Sequence, residues 1–358
     1  MNLIRRSAAI ALTSGVAVAS LVTPCIGLTG AANASTTVEP AAAAAGYLAR
    51  QMAANGNHLV DLYQGKKYAD DGETADAILS MDAAGVAQHE AGLATAWLKK
   101  DAASYLGGTA PNIYPGSAAK LLLVAEAEHV NPERFGGIDL VGALVGTEGG
   151  GGAPSGEYQN PSDTQYSASV LVQSLAVLAL ADSATTAGPS ASAVSFLAGQ
   201  QCANGAFQVA IRTDTTVACK DSDNDVDTTA YAVQALLAAG SHAAANTAAK
   251  WLIAAERSDG GWGETPSAAS DADSTALAVE ALVAAHRNAN PGARWLVRQQ
   301  EGCKAKAGRR GAVRFQGRKY SVSTDVRATS QAGAALALTP LGWADKNGAA
   351  PSAPTLKC

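Results

Sequence analysis

The chain has 358 residues, a formal charge of −5, 16% charged residues and five cysteines. Its acidic balance argues against general nucleic-acid binding, which favours basic surfaces, and its length suffices for one large domain with a well-buried core. Beyond the first 34 residues no stretch is long and apolar enough to span a membrane.

Arg5 and Arg6 open a basic start, Ala8 to Val22 are largely apolar, and Ala32–Asn33–Ala34 has the small-x-small form of a cleavage site. Residues 1–34 therefore read as a secretory signal peptide, and the protein as secreted and extracellular. Pro24 before Cys25 argues against a lipoprotein attachment site. Cys202, Cys219, Cys303 and Cys358 remain, and an even number in an exported chain suggests two disulfides. Of the three connectivities, pairing of neighbours is chosen: Cys202–Cys219 and Cys303–Cys358. There is no Cys-x-x-Cys and no His beside any of the four, so zinc is not expected.

An aromatic residue followed by Leu recurs in Ala-rich segments: Tyr47–Leu48, Trp97–Leu98, Phe196–Leu197, Trp251–Leu252 and Trp295–Leu296, with Asp139–Leu140 in the third place. The period is roughly 50 residues. After each comes a Gly-containing turn and a second helix. The clearest of these opens Asp225–Val226–Asp227–Thr228–Thr229–Ala230 and is copied from Asp271 and, more loosely, from Asp325. In chain order the expected pairs are 40–54 with 72–85, 92–105 with 116–129, 137–145 with 163–182, 190–201 with 225–239, 244–257 with 271–285, and 293–301 with 325–338. No stretch alternates convincingly as a strand, so the class is all-α. The domain reading is 35–345, with a tail 346–358 tied back by Cys358. Six antiparallel pairs suit either a closed ring or an open solenoid.

Ala255–Glu256–Arg257–Ser258–Asp259–Gly260–Gly261–Trp262–Gly263 resembles the helix-end plus Gly-Gly-Trp repeat of squalene cyclases and protein prenyltransferases. Gln200–Gln201–Cys202–Ala203–Asn204–Gly205–Ala206–Phe207 is a second copy, and Gln299–Gln300–Glu301–Gly302 starts a third. The resemblance implies a closed (α/α)6 toroid in which the Gln and the aromatic tie successive helices together. It does not select an activity, because the fold serves cyclases, prenyltransferases, vitamin carriers and complement proteins alike.

Asp225–Val226–Asp227–Thr228 is also similar to the Asp-x-Asp-Asp motif of squalene-type cyclases, which implies that Asp227 corresponds to their proton-donating acid. Thr228 replaces the last Asp. The repetition at Asp271 and Asp325 favours a different reading of Asp225, as a helix N-cap. Asp227, Tyr231 and Gln234 fall on one helix face, in register with Asp273, Leu277 and Glu280, with Arg327, Gln331 and Ala334, and with Tyr166, Val170 and Gln173. That face reads either as the wall of a wet central cavity or as buried bonds between helices with an Asp273–Arg327 pair. Arg327 near a carboxyl would lower its pKa, the wrong direction for a general acid. Aromatic residues make up only 5% of the chain, a poor supply for carbocation chemistry. The Asp-x-Cys of a prenyltransferase zinc site does not occur in the expected C-terminal part. A glycan-degrading pair of Asp227 and Asp273 would lack sugar platforms.

Gly149–Gly152 reads as a connection without the Lys of a phosphate loop. Between 304 and 319 the bases Lys304, Lys306, Arg309, Arg310, Arg314, Arg318 and Lys319 occur without one acid, a solvated loop or a surface for an anionic wall polymer. The reading that results is an exported toroid binding a small apolar or amphipathic molecule, or a partner, in its central cavity without catalysis. Its ligand-binding residues are Tyr166, Gln173, Asp227, Tyr231, Gln234, Asp273, Glu280, Arg327 and Gln331; no cofactor is identified. The alternatives are a cyclase-like enzyme acting through Asp227 and an interaction scaffold of the envelope.

Overall fold

Apolar faces on short Ala-rich helices have to be buried against one another, and here they close into a double ring. The computed structural model describes residues 39–163, 168–185, 187–354, 356 and 358. The expected signal peptide and Tyr166 lie outside the described residues. The outer helices are α1 (Pro40–Ala53), α3 (Gln88–Leu106), α5 (Leu140–Val145), α7 (Ala191–Gly199), α9 (His242–Ala255) and α11 (Asn290–Gln299). The inner helices are α2 (Asp71–Ala84), α4 (Pro115–Ala127), α6 (Val170–Asp182), α8 (Val226–Ala238), α10 (Ala272–Ala284) and α12 (Val322–Leu336). Each inner helix packs on the next, and α12 packs back on α2, so the ring is closed rather than an open solenoid. The fold is an (α/α)6 toroid.

Small residues let the helices approach closely, and the core is mainly Ala and Leu with Trp262, Tyr47, Tyr158, Phe135 and Phe207 fully buried. Two departures from the sequence reading concern strands. Leu59–Tyr63 (β1) and Lys66–Asp70 (β2) form an antiparallel hairpin between α1 and α2, and Phe207–Gln208 (β3) pairs with Asn224–Asp225 (β4). The hairpin was missed because only Leu59 in β1 is fully buried and β2 is mostly exposed, so no apolar alternation marks it.

Four of the six inner helices start with a side-chain cap. Asp225 and Asp271 are N-caps, accepting the amide protons of Thr228 (2.6 Å) and Ser274 (2.9 Å). Asp70 and Ser169 cap α2 and α6 likewise. The third inner helix therefore starts at Val170, later than the expected 163. Asp325 is not a cap. Helix α12 begins one turn earlier at a Ser321 N-cap, and the Asp325 carboxylate instead accepts the amides of Phe315 (3.0 Å) and Ser321 (2.8 Å).

Four residues after each of these positions a fully buried side chain receives the backbone of the preceding loop. The hydroxyls of Thr74, Thr229, Thr275 and Thr329 accept the amides of Leu59, Phe207, Trp262 and Val313 at 2.8–2.9 Å. Thr74, Thr229 and Thr329 donate in turn to the carbonyls of Asp70, Asp225 and Asp325. In α6 the Gln173 amide does this for Tyr158 and also donates to the Gly156 carbonyl. The first amides of α6, α8 and α10 donate to Val209, Glu264 and Phe315 in the loop of the next pair.

Outer helices are linked by the glutamines of the repeat. Gln201 donates to Ala244 at the start of α9, and Gln300 donates to Pro40 at the start of α1. The second of these closes the outer ring, helped by Arg50 to the Arg310 carbonyl (2.6 Å) and the Tyr47–Tyr320 hydroxyl pair (2.8 Å). Gly311 is required there: its φ is +93°, and a Cβ would lie 2.0 Å from the Ala43 carbonyl oxygen. Trp262 donates its indole N–H to the Leu252 carbonyl (2.8 Å), folding back on α9 as the repeat implies.

Both expected disulfides are formed, Cys202–Cys219 and Cys303–Cys358. The tail reaches Cys303 by way of backbone bonds from Lys346 to Ala127 and between Ala350 and both Gly85 and Gln88. No helix among the described residues is long and apolar enough to cross a membrane.

The Thr clamp yields a direct test. Thr275→Val leaves the buried Trp262 amide without a partner and should cost roughly 1–3 kcal/mol in urea unfolding. Thr247→Val, on an exposed outer-helix position, should be nearly neutral. Equal effects at the two sites would show that the clamp contributes nothing special.

Candidate functional site at the inner-helix N-termini

Counting from the caps places inner-helix residues in layers about the toroid axis. The first layer holds Asp227, Asp273 and Arg327, the second Asp76, Lys120, Tyr231, Leu277 and Gln331, and the third Leu79, Leu178, Gln234, Glu280 and Ala334. Helix α6 gives this face Leu171, Leu175 and Leu178, not Val170 and Gln173. Gln173 is a correction to the sequence reading: its side chain is 0% exposed and committed to the 156–158 loop and the Ala193 carbonyl. Its proposed place on the wall rested on a register that was five residues out, because Ser169 and not residue 164 caps α6.

The second layer shuts the lumen. Lys120 Nζ lies 2.8 Å from the Asp76 carboxylate, and both side chains are largely buried. Burial alone would pull the Lys120 pKa down, but the Asp76 carboxylate and the Tyr231 phenol outweigh it and push it up. Tyr231 is buried against this pair, and its own pKa is raised, by burial first. Only about 10 Å³ of space remains among Asp76, Tyr231, Leu277, Glu280 and Gln331. One continuous wet cavity is therefore not what the face forms. It leaves a mouth at each end.

The mouth at the N-terminal ends of the inner helices has a volume of about 320 Å³ and is lined by Asp227, Glu264, Asp271, Asp273, Ser274, Phe315, Ser323, Thr324 and Arg327. Burial, reinforced by neighbouring carboxylates and opposed by a hydrogen bond with Ser274, pushes Asp227 up to about 8. Asp273 is pushed up to about 7 by burial, against the pull of Arg327, whose guanidinium is 3.7 Å away and 61% exposed. Arg327 thus opposes the acid character of Asp273. Glu73, on the α2 side, is pushed up to about 8 by burial and by Asp70. One carboxyl oxygen of Asp227 and one of Asp273 are buried without a hydrogen-bond partner. At neutral pH Asp227 is thus mostly protonated and Asp273 about half so, rather than both being fixed negative charges.

Gln234 and Glu280 sit at the far side of the plug. Gln234 accepts the Leu341 amide (2.8 Å), and the Glu280 carboxyl beside it is raised well above its usual value by burial. Asp76, Lys120 and Glu73 were not among the residues singled out from sequence. Asp70-x-x-x-Thr74 repeats Asp225-x-x-x-Thr229, which puts Asp76 in the place of Tyr231; that signal was present and unused. Among the described residues no group of three or more His, Cys, Asp or Glu is arranged to hold a metal ion.

A closed ring of six helix pairs joined by Gly-containing loops defines the toroid class. The chain belongs to the prenyltransferase alpha-alpha toroid domain family, whose model matches residues 116–322, more than half of it. The apo type II terpene cyclase MstE from Scytonema superposes with a TM-score of 0.60 at 15% identity, over 83% of this chain and 96% of that one. The unsaturated glucuronyl hydrolase of Bacillus sp. GL1 gives 0.61 at 13% identity, over 83% and 95%. Protein geranylgeranyltransferase-I of Candida albicans gives 0.51 at 13% identity, over 78% and 90%. These likenesses concern the fold. No curated protein matches the sequence.

Two outcomes follow from the electrostatics. Lys120→Met leaves the Asp76 carboxylate buried and unpaired and should cost about 3–5 kcal/mol, much of it recovered by adding Asp76→Leu. Asp227 is held protonated in the fold to about pH 8 but ionises near 4 when unfolded. The stability it contributes is full below pH 4 and is lost as pH rises toward 8, because the native state there binds the extra proton. Asp227→Asn should flatten the fall of urea stability between pH 4 and 8; an unchanged slope would refute the raised pKa.

Proposed function

We propose that this family member binds a small amphipathic molecule through its polar head at the Asp227 mouth, without turning it over. The observation that supports this reading best is the Asp76–Lys120–Tyr231 plug, which leaves a polar mouth of about 320 Å³ in place of a through-going apolar lumen. A ligand head rich in N–H or O–H donors would meet the unpartnered oxygens of Asp227 and Asp273, with Phe315 against its apolar part. Gln234, Glu280, Tyr231 and Gln331 would support the mouth from behind rather than touch the ligand. Export in an oxidising compartment fits the two disulfides.

A second reading is favoured by one observation. Asp227 stands where the resemblance puts the acid of a cyclase, and its carboxyl is still protonated at neutral pH. Against it stand Thr228 in place of a third carboxylate and, among the described residues, Phe315 as the one aromatic side chain lining the mouth.

Titration with octylamine decides between them. Its ammonium head needs ionised carboxylates, so affinity should rise as pH increases from 6 to 8.5 and should fall about tenfold in Asp227→Asn and in Asp273→Asn. Incubation with squalene and geranylgeranyl diphosphate should give no cyclised product. Product lost in Asp227→Asn would overturn the binding reading and establish the enzyme.

A further inference from the structure

The opposite mouth of the toroid is built by different means and is not used by the reading above. After α12 the chain turns at Leu338 and lays 340–343 across the C-terminal ends of α6 and α8, fixed by the Leu341–Gln234 bond. Gly342 permits the close approach: a Cβ there would lie 3.2 Å from Leu178 Cδ1 and 3.5 Å from Asp182 Oδ1. The result is a pocket of about 370 Å³. Its floor is Leu178, Leu237, Ala284 and Pro340, and Trp343 stands in its wall.

Three features mark this pocket as a ligand site. Trp343 is 55% exposed, whereas Trp262 in its repeat loop and Trp295 in α11 are buried. An indole face left open costs the fold apolar burial and offers a stacking platform. The rim is neither purely apolar nor of one charge: Asp182 accepts, while His242, Asn246 and His286 can donate and accept. Lastly, the left-handed turn at His286 (φ +53°) just after α10, a conformation that His129 (φ +48°) and Leu338 (φ +54°) share after α4 and α12, sets the imidazole beside Trp343, with ring centres 6.3 Å apart.

An open aromatic face, an apolar floor and a mixed donor–acceptor rim match a ring with one C–H face and hydroxyls around its edge. We propose that this mouth is a carbohydrate site, holding one or two pyranose rings against Trp343 with their hydroxyls on Asp182, His286 and Asn246. The volume is at the small end of the range of about 300–1,000 Å³ for ligand pockets, which suits a mono- or disaccharide unit rather than a long chain.

The test uses isothermal titration calorimetry of the whole disulfide-bonded protein, which reads binding in every variant alike. Glucose, N-acetylglucosamine and their β-1,4-linked dimers are the probes. Saturable binding is expected for at least one of them, weakened about tenfold or more by Trp343→Ala and independently by Asp182→Asn. Tyr68→Ala, which removes an equally exposed aromatic on the hairpin, should change nothing. Absence of saturable binding by all four sugars, equal binding in Trp343→Ala, or tighter binding of tetramethylammonium than of any sugar at Trp343 would each overturn the proposal. Trp343 is largely solvent-facing, so its variants should fold, and circular dichroism confirms that before titration.

Discussion

In four of the six repeats a buried Thr hydroxyl ties the loop to the inner helix, and the architecture rests on that bond. Each Gly-aromatic loop must cross from an outer helix to an inner one through the protein interior, where an unpaired amide is costly. The Thr four residues past the cap position accepts that amide, and in three of four cases it donates to the cap carbonyl. A hydroxyl is suited to this because it accepts and donates at once. Gln173 shows that the requirement is for the bond and not for Thr: a longer amide in α6 reaches further and serves Tyr158, Gly156 and Ala193.

That constraint fixes the register of the inner helices and so decides what faces the axis. With the cap position and the clamp set, the residues two, six and nine positions past the cap point inward. Polar side chains at these positions have two fates. At the outer layer they line the mouth, where one oxygen each of Asp227 and Asp273 is buried without a partner. One turn deeper they have to be compensated, and Asp76 with Lys120 does so as an ion pair. The plug is thus a consequence of placing opposite charges on two inner helices one turn below the mouth. It also explains why Asp227 is raised: its mouth is narrow, its floor is closed, and its neighbours are carboxylates.

The two ends of the ring have different chemistry for the same topological reason. The inner-helix N-termini open onto the repeat loops, and caps bring aspartates with them. The C-termini carry no such loops; there the segment after α12 supplies the covering, and with it Leu341, Gly342 and Trp343. The tail then continues to Cys358 and its bond to Cys303, so one segment both covers an end and binds the sixth pair to the first.

Helix pairing, the sixfold count and the caps at Asp225 and Asp271 were legible in the sequence, because they depend on local spacing that repeats. The disulfide partners were also legible as a choice among three. What the chain's order did not reveal was the depth of each polar residue. Whether Gln234 is a cavity wall or a partner for Leu341 depends on where residues 107 positions away come to rest. The hairpin escaped because an exposed two-stranded ribbon leaves no alternating apolar pattern. The Asp76–Lys120 plug escaped because it joins two helices, 44 residues apart, neither of which carries the conspicuous Asp-x-Asp copy. Local bonds set by neighbours along the chain can be read from sequence; the protonation of Asp227 and the closing of the lumen arise only when six helices share one axis.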